Sequence, residues 1–418
     1  MRRVTEGCRR LLSERGESNS VAIAEEILAA YGELTPDQQH AFFKTLAIDF
    51  GPNPAAVLET ARRYAATPDA AHLLELTRVV EPPRQELLRR LNRATGGTSA
   101  IVAMRRTLLE RLKGDAELAA VEADFLHLLS SWFNPGFLQM VQVDWRSPAE
   151  LLEKIIQHEA VHQIEGWDDL RRRLQPDRRC FAFFHPQLPG EPLIFVEVAL
   201  VSTIPAAISA LIDVNSAPQT DDREYKVAAF YSISNCQPGL KGVSLGNFLI
   251  KRVAEHLQHE FPRLRTFCTL SPMPGFSAWL EMHAASLPER EDLAPESKQR
   301  LRTAWTLLDR NRRERNLLAG SDLTRISQPL RDAIVTLAAF YLARESVTPR
   351  GDPVAKFHLG NGARLERLNW AGDQSAKGMR QALGLMVNYL YDLRHIEDNH
   401  ERFVNGEVVV SRTLQRML

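Results

Sequence analysis

The hydrophobic pattern of the chain changes at Asn134-Pro135-Gly136, and this change limits the possible folds more than any other feature of the sequence. Before it, apolar residues recur at spacings of three and four, the period of an amphipathic helix. After it come short β-type runs, such as residues 137–143 and 193–201. The pattern therefore predicts an all-α part followed by a part that mixes strands with helices, so the expected fold class is α+β.

Sequence patterns typical of helix starts occur at several points in the first part of the chain. Thr35-Pro36-Asp37-Gln38 combines a capping threonine, a proline at the first helical position and a glutamine that completes a capping box. Thr67-Pro68-Asp69 repeats this arrangement, and Pro82-Pro83, Gly96-Gly97 and Gly114 separate further helical stretches. This part contains no catalytic constellation. We therefore predict a helical domain over residues 1–134 whose apolar faces serve packing or subunit association.

The second predicted domain, residues 135–418, contains a strand, a Gly-rich turn, a helix and a second strand in succession. Residues 226–234 and 265–270 have strand character, residues 237–242 form the turn, and residues 245–257 are amphipathic. Residues 286–345 are again helical and charged. The spacing of Met379, Leu383, Met386, Val387 and Leu390 predicts that a helix over residues 376–393 closes the chain.

Length, charge and cysteine content are those of an ordinary globular protein. At 418 residues, of which 44% are apolar, the chain has material for two cores. Lys plus Arg and Asp plus Glu number 52 each, which leaves no overall field to attract nucleic acid or an anionic membrane. Four cysteines without a CxxC pair suit a reducing compartment. We find no signal-peptide core or membrane-spanning run, so we expect a cytoplasmic protein.

The turn near Gly242 has the composition of a phosphate-binding loop. Gly239, Gly242 and Gly246 let an anion approach the backbone at the start of a helix, where N–H groups and the helix dipole favour negative charge. An ordinary left-handed turn explains the glycines equally well. A basic run offers charge for a further phosphate, although a solvated surface is the simpler interpretation; it comprises Arg171, Arg172, Arg173, Arg178 and Arg179.

The segment His158-Glu159-Ala160-Val161-His162 matches the HExxH pattern of zinc proteases. In that pattern two imidazoles on one helical face bind the metal beside a glutamate that acts as base. Here no third ligand follows at the spacing that such enzymes use. We therefore predict a structural helix with solvent-facing histidines and no metal.

Two further side chains stand where chemistry could occur. Ser271 ends a predicted strand and enters a Pro-Gly turn, at the strand edge where α/β ligand sites gather. His358 lies in a predicted loop beside Asn361-Gly362. Because the Gly-x-Ser-x-Gly pattern of a nucleophile elbow is missing, an ordinary turn serine and a structural histidine remain open alternatives.

Several segments, in this order along the chain, together resemble the malonyl-CoA decarboxylase family. They are Trp132-Phe133-Asn134-Pro135-Gly136-Phe137-Leu138, Glu159-Ala160-Val161-His162, Pro189-Gly190-Glu191-Pro192-Leu193, Gly242-Val243-Ser244-Leu245-Gly246, Leu270-Ser271-Pro272 and Phe357-His358-Leu359. The resemblance covers most of the chain. It implies a helical N-terminal domain used in oligomerisation, a catalytic domain similar to GNAT acyl-CoA N-acyltransferases, and no metal role for residues 159–162.

The resemblance also implies a reaction. Malonyl-CoA would be converted to acetyl-CoA and CO₂ without a cofactor, with Ser271 orienting the malonyl carboxylate and His358, through a near-neutral pKa, protonating the acetyl-CoA enolate. Tyr391 resembles the family's supporting tyrosine. The substrate-binding residues that it implies are Lys241, Gly242, Val243, Ser244, Leu245, Gly246, Asn247, Ser271 and His358. Some relatives carry Glu at the position of Ser244, so no acid role is assigned there.

Two other functions are compatible with the sequence. A GNAT-type acyl-CoA-dependent N-acetyltransferase would use the same turn and fold, and a non-catalytic acyl-CoA sensor would bind without turnover. The expected partners are malonyl-CoA, acetyl-CoA and further copies of the chain, which would form a dimer or tetramer through the helical domain. No nucleic acid or membrane partner is expected.

Overall fold

The computed structural model describes residues 1–13, 19–243, 245, 249–315, 323 and 326–418, and it divides the chain into two compact units. Unit 1 consists of Met1–Gln139, Phe184–Leu193 and Cys236–Gly246, and unit 2 of Met140–Phe183, Ile194–Asn235 and Asn247–Leu418. Unit 1 is therefore assembled from three segments. The predicted boundary at residue 134 lies near the end of the first of them.

Unit 1 is built from helices, which confirms the predicted helical character of the first part of the chain. They are α1 Arg2–Leu12, α2 Ser20–Gly32, α3 Pro36–Ile48, α4 Pro54–Ala66, α5 Ala70–Val80, α6 Pro83–Leu91, α7 Gly97–Arg111 and α8 Ala119–Trp132. Thr35 and Gln38 form the predicted capping box, whereas Asp69 rather than Thr67 caps α5. The core of the unit buries Phe42, Phe43 and Phe125.

Unit 2 combines a sheet with helices that range from four to 21 residues in length. The helices are α9 Ala149–His158, α10 Trp167–Arg173, α11 Ser209–Ile212, α12 Leu249–Glu260, α13 Phe276–His283, α14 Pro295–Arg315, α15 Gln328–Phe340, α16 Pro353–Gly360, α17 Ala376–Ala382, α18 Ile396–Val404 and α19 Arg412–Gln415. Across the described ranges of the chain, no helix is both long enough and apolar enough to cross a bilayer.

In the described part of the chain, the sheet has seven strands in the order β1-β2-β3-β4-β5-β7-β6. Their bounds are β1 Gln139–Val143, β2 Arg178–Phe184, β3 Pro192–Val201, β4 Val227–Asn235, β5 Thr266–Thr269, β6 Arg364–Asn369 and β7 Met386–Tyr391. Strand β4 pairs antiparallel with β3 and parallel with β5, and β7 pairs antiparallel with both β5 and β6. The predicted succession of strand, turn, helix and strand is confirmed as β4, the turn, α12 and β5, and the α+β class is confirmed with it.

The predicted helix over residues 376–393 is wrong in its second half. Helix α17 ends at Ala382, Leu383 and Gly384 have positive φ angles of 53° and 77°, and β7 follows. Strand β7 lies between two neighbours and is buried along almost its whole length, so its apolar residues do not alternate with polar ones. A mostly apolar segment of this kind matches helical spacing by accident. Tyr391 is consequently the last residue of a strand.

Candidate active site

A cavity of about 340 Å³ lies in unit 2 where strands β4 and β5 separate. The two parallel strands pair as far as Phe230 and Thr269, after which Ser271 pairs with Val387 of β7. The ladder between β3 and β4 skips Tyr231, and this bulge lies within the run of four β4 residues, 230–233, that line the cavity. Ligand sites of sheets with parallel strands gather at such carboxyl ends. The cavity is therefore the candidate active site.

Ser271 is held at the cavity by its backbone and its side chain. Its N–H donates to the carbonyl of Val387 at 2.8 Å, and its own carbonyl accepts from Val387 N–H at 2.9 Å. Its hydroxyl oxygen lies 3.0 Å from His358 Nε2 and 2.9 Å from Thr269 Oγ1. The structure thus brings together the serine and the histidine that the sequence singled out 87 residues apart.

His358 lies on helix α16, so the predicted loop around it is wrong. Asp352 caps this helix by accepting hydrogen bonds from two N–H groups of the first turn. It also accepts from Gly275 N–H at 2.9 Å. One buried carboxylate therefore ties the turn after Ser271 to the helix that carries His358. The Asp-Pro pair at residues 352–353 is the helix-start signal that could have revealed the cap, although not the contact with Gly275.

Two tyrosines of β7 enclose the imidazole of His358. The hydroxyl of Tyr391 lies 2.9 Å from Nδ1, and the ring of Tyr389 stacks on the imidazole with a centroid separation of 4.7 Å. Burial raises the pKa of both phenols well above the ordinary value of 10.0. Both tyrosines therefore keep their protons at neutral pH, and Tyr391 can donate its proton to the imidazole.

Burial lowers the pKa of His358 to about 3. The near-neutral pKa expected from the residue type is therefore wrong, because desolvation disfavours the imidazolium. At pH 7 the imidazole is neutral and carries a single N–H. A carboxylate bound beside it would favour the charged form and raise the pKa.

Acidification should destabilise the protein through its buried histidines. Burial lowers the pKa of His358 to about 3 and that of His162 to about 4, from an ordinary 6.5. Below pH 6.5 the unfolded chain binds protons that the folded chain excludes. The contribution of these histidines to the free energy of unfolding is therefore fully present above that pH and is lost as the pH falls. By about pH 5 each histidine should lower the free energy of unfolding by roughly 2 kcal/mol.

Thermal unfolding followed between about pH 7.5 and about pH 5 measures this effect. The midpoint should fall with pH in the unmodified protein and fall less steeply in His358→Asn, which has one buried imidazole fewer. A pH slope that is the same in both proteins would contradict the assignment to His358.

The segment from His158 to His162 is not the predicted structural helix. Helix α9 ends at His158 and Glu159 is extended, so the two imidazoles do not share a helical face. The carboxylate of Glu159 accepts from the N–H groups of Val161 and His162 and from the hydroxyl of Ser232. His162 is buried rather than solvent-facing. Within the described part of the chain, no group of three or more His, Cys, Asp or Glu is placed to hold a metal ion.

The basic run at residues 171–179 forms ion pairs inside unit 2. Arg172 donates to Asp177 at 2.8 Å, Arg173 donates to Glu197 at 3.0 Å, and Arg178 donates to a backbone carbonyl at 2.7 Å. All three guanidinium groups are buried, so the solvated surface expected for them is wrong. Arg172 and Arg173 lie on α10 and Arg178 begins strand β2, and the acceptors that each guanidinium meets inside the unit compensate for its desolvation.

The Gly-rich turn belongs to unit 1, in which helix α7 holds it. Arg105 of α7 is buried and donates to the carbonyls of Gly239 and Lys241, each at 2.7 Å. A side chain at Gly239 would come within 2.0 Å of the carbonyl oxygen of Val102, and Gly242 has a φ of 83°. Glycine is therefore required at both positions, at one by close approach and at the other by conformation.

The structure describes only part of the predicted substrate-binding turn. It includes Lys241, Gly242, Val243 and Leu245, whereas Ser244, Gly246 and Asn247 lie outside the described residues. Arg105 was not among the site residues predicted from the sequence. It shares a buried helix face with Ile101 and Leu108, and a charged residue at an otherwise apolar position is the signal that could have identified it.

Two family models match the chain. The model described as malonyl-CoA decarboxylase N-terminal domain matches residues 50–133, and that described as malonyl-CoA decarboxylase C-terminal domain matches residues 136–418. The mitochondrial malonyl-CoA decarboxylase of Anser anser anser is 39% identical over 337 residues, which make up 77% of this chain and 66% of that protein. Its counterpart in Mus musculus is 35% identical over 422 residues, with 95% of this chain and 85% of that protein covered.

Solved structures of bacterial proteins are similar over nearly the whole chain. The crystal structure of malonyl-CoA decarboxylase from Rhodopseudomonas palustris has 45% sequence identity and a TM-score of 0.87, and covers 99% of this chain and 98% of that one. The crystal structure of malonyl-CoA decarboxylase from Agrobacterium vitis has 46% identity and a TM-score of 0.83, with 99% of each chain covered. The likeness is thus one of sequence as well as of fold.

Proposed function

The chain belongs to the malonyl-CoA decarboxylase family, and from this premise we propose that it is a carboxy-lyase that converts malonyl-CoA to acetyl-CoA and CO₂. The observation that carries the proposal is the hydrogen-bonded series of Ser271, His358 and Tyr391 beside a cavity of unit 2. In this series, Ser271 can donate a hydrogen bond to the malonyl carboxylate, and His358 can supply a proton to the α-carbon once the carboxylate has left. These are the two contributions that the reaction needs from a protein.

The proposed first step breaks the bond between the malonyl α-carbon and its carboxylate. The electron pair stays on the α-carbon and is delocalised onto the thioester oxygen, so the substrate is its own electron sink and the proposal includes no metal or organic cofactor. Ser271 donates its hydroxyl proton to the carboxylate and holds it out of the thioester plane. In that orientation the breaking bond overlaps the π system, which is an orientation effect.

In the second step His358 protonates the α-carbon. The proton moves from Nε2, and a neutral imidazole suffices because the enolate carbon is a stronger base than the imidazolate that remains. Tyr391 donates to Nδ1 and stabilises that imidazolate. Solvent then restores the N–H, which accounts for the one proton that each turnover consumes.

The cavity lining also favours loss of the carboxylate. Among the described residues that line it, polar atoms come from side chains such as Ser232, Asn235 and Ser271, and none is a Lys, Arg, Asp or Glu. A guanidinium bound to the ground-state carboxylate would stabilise the charge that the reaction must disperse. Only interactions that strengthen in the transition state increase the rate, so neutral donors suit the chemistry.

We assign the turn at residues 239–243 to the pyrophosphate of coenzyme A. Gly242 supplies the left-handed backbone that lets an anion approach N–H groups, and Lys241 is exposed. Arg105 bonds two carbonyls of this turn, so their oxygens point toward α7. The N–H groups of Leu240, Lys241 and Val243 donate to carbonyls of residues 237–240, so the proposal places the phosphate against the backbone at Gly242 and the exposed side chain of Lys241.

Removing the Arg105 guanidinium should weaken coenzyme A binding. In Arg105→Met the turn loses two hydrogen bonds from a charged donor, and the dissociation constant for coenzyme A should rise roughly tenfold, with the turnover number at saturating malonyl-CoA within about twofold of normal. Isothermal titration calorimetry and initial rates measure the two quantities.

Arg84→Met is the matched control for this variant. Arg84 is also a buried arginine of unit 1 that bonds a carboxylate, that of Asp124, and two backbone carbonyls, but it does not contact the turn. Its replacement should leave coenzyme A affinity unchanged. Equal weakening by the two replacements, or normal affinity in Arg105→Met, would show that Arg105 has no specific role in holding the turn.

Incubation of the pure protein with malonyl-CoA alone tests the proposed activity. Acetyl-CoA and CO₂ should appear in equal amounts without an added acceptor or cofactor, and chelators should not change the rate. An N-acetyltransferase would require an amine acceptor, and an acyl-CoA sensor would bind malonyl-CoA without consuming it. Either of these outcomes, or inhibition by a chelator, would reject the corresponding part of the proposal.

We also propose that the protein forms a homo-oligomer, a dimer or tetramer, through a helical domain at residues 1–134, and that it acts in the cytoplasm. Helices α4 and α5 expose Leu58, Leu73 and Leu74, which a subunit contact would cover. All four cysteines are buried and the described residues contain no disulfide, as suits a reducing compartment. Light scattering measures the oligomer size, and fluorescence of a tagged chain locates it in the cell.

A further inference from the structure

Thr269 is a buried residue that the proposed mechanism does not use. It ends strand β5, two residues before Ser271, and it is completely inaccessible to solvent. Its Oγ1 atom accepts a hydrogen bond from Ser271 Oγ at 2.9 Å and another from the backbone N–H of Tyr389 at 3.1 Å. Its hydroxyl therefore joins the reactive serine to the backbone of strand β7.

The donor and acceptor roles in this series of hydrogen bonds are fixed one after another, from Tyr389 to Tyr391. A backbone N–H can only donate, so Tyr389 occupies one lone pair of Thr269 Oγ1, and the hydroxyl proton of Ser271 occupies the other. Because Ser271 donates its single hydroxyl proton to Thr269, its oxygen must accept a hydrogen bond from His358 Nε2 across the 3.0 Å contact. The proton of the neutral imidazole is then on Nε2, and Nδ1 accepts from the hydroxyl of Tyr391.

We propose that Thr269 is a positioning residue of the decarboxylase, which holds Ser271 Oγ in place and keeps the His358 proton on the nitrogen that faces the cavity. When a malonyl carboxylate draws the Ser271 proton away, the proton of Thr269 turns to Ser271 Oγ in its place. None of the hydrogen bonds recorded for the described residues uses that proton. The serine thus keeps its position while its donor bond is transferred to the substrate. The predicted effects on turnover rest on the proposed function, whereas the predicted position of the His358 proton on Nε2 does not.

Thr269→Val tests the role of the hydroxyl, because valine has the shape of threonine without its oxygen. Its turnover number for malonyl-CoA should fall roughly tenfold, as expected for the loss of one orienting hydrogen bond, while KM changes less than about twofold. Thr269→Ser restores the hydroxyl and should recover turnover to within about twofold of normal. Thr266→Val, on a half-buried threonine at the start of the same strand, is the matched control and should behave as the unmodified protein.

Two kinetic outcomes would overturn the proposal. One is a turnover number of Thr269→Val close to normal, and the other is a Thr269→Ser variant as slow as the valine variant. A merely structural threonine would lower the unfolding midpoint of Thr269→Val without this split between turnover and KM, and without rescue by serine.

The nitrogen-15 NMR spectrum of labelled imidazoles supplies a test that needs no Thr269 variant. Comparison with His358→Asn identifies the His358 signals, and the unmodified protein should carry its proton on Nε2. A proton on Nδ1 would reverse the whole chain of hydrogen bonds and overturn the inference, even if Thr269→Val fails to fold. If the unmodified protein does not decarboxylate malonyl-CoA, the proposed function fails, and this spectrum still decides the position of the proton.

Discussion

Ser271→Ala should lower the turnover number for malonyl-CoA by roughly 10² or more while coenzyme A affinity stays nearly normal. The replacement removes the hydroxyl that lies 3.0 Å from His358 Nε2 and 2.9 Å from Thr269 Oγ1. Without it the carboxylate has no donor to hold it out of the thioester plane, and the bond to be broken loses its alignment with the π system. The turn assigned to coenzyme A does not include this residue, so binding of the coenzyme should be retained.

Initial rates of acetyl-CoA formation and calorimetry with coenzyme A measure the two effects. Ser234→Ala is a suitable control, because Ser234 is another buried serine of the sheet, bonded to Glu159 rather than to His358. Its turnover should be close to normal. Near-normal turnover of Ser271→Ala would overturn the assignment of Ser271, and equal losses in the two variants would point to damage of the sheet instead.

His358→Asn should reduce turnover by a similar factor, roughly 10² or more, because asparagine fills part of the space but offers no comparable proton to the α-carbon. It also leaves Tyr391 without the Nδ1 acceptor at 2.9 Å. His185→Asn is the matched control, since His185 is a buried histidine whose pKa is also lowered by desolvation, but it belongs to unit 1. That variant should keep normal turnover.

The double variant tests whether the serine and the histidine act as a unit. If Ser271 positions the carboxylate within the same hydrogen-bonded series through which His358 delivers the proton, the second replacement should add little, and the double variant should be no more than about tenfold slower than the slower single variant. If the loss of turnover in the double variant equals the product of the losses in the two single variants, the residues act independently, and the proposed series is incorrect.

Short sequence patterns predicted most of the secondary structure. The capping box at Thr35 and Gln38 predicted where a helix begins, because a cap needs only residues three positions apart. The succession of β4, turn, α12 and β5 was visible for the same reason, since hydrophobic period and turn residues are read within short windows. Strand β7 was missed because its neighbours bury almost all of it, and burial of that kind removes the alternation that identifies a strand.

The sequence by itself determined the helical first part, the position of Ser271 just after a strand and, through several segments in a fixed order, the family. Only the tertiary structure decided what each functional group does. It brought His358 to Ser271 and Tyr391, which lie 87 and 33 residues away in the chain, and it buried the imidazole so that its pKa falls to about 3. Hydrogen-bond direction and desolvation depend on atoms from distant segments, so no local pattern records them.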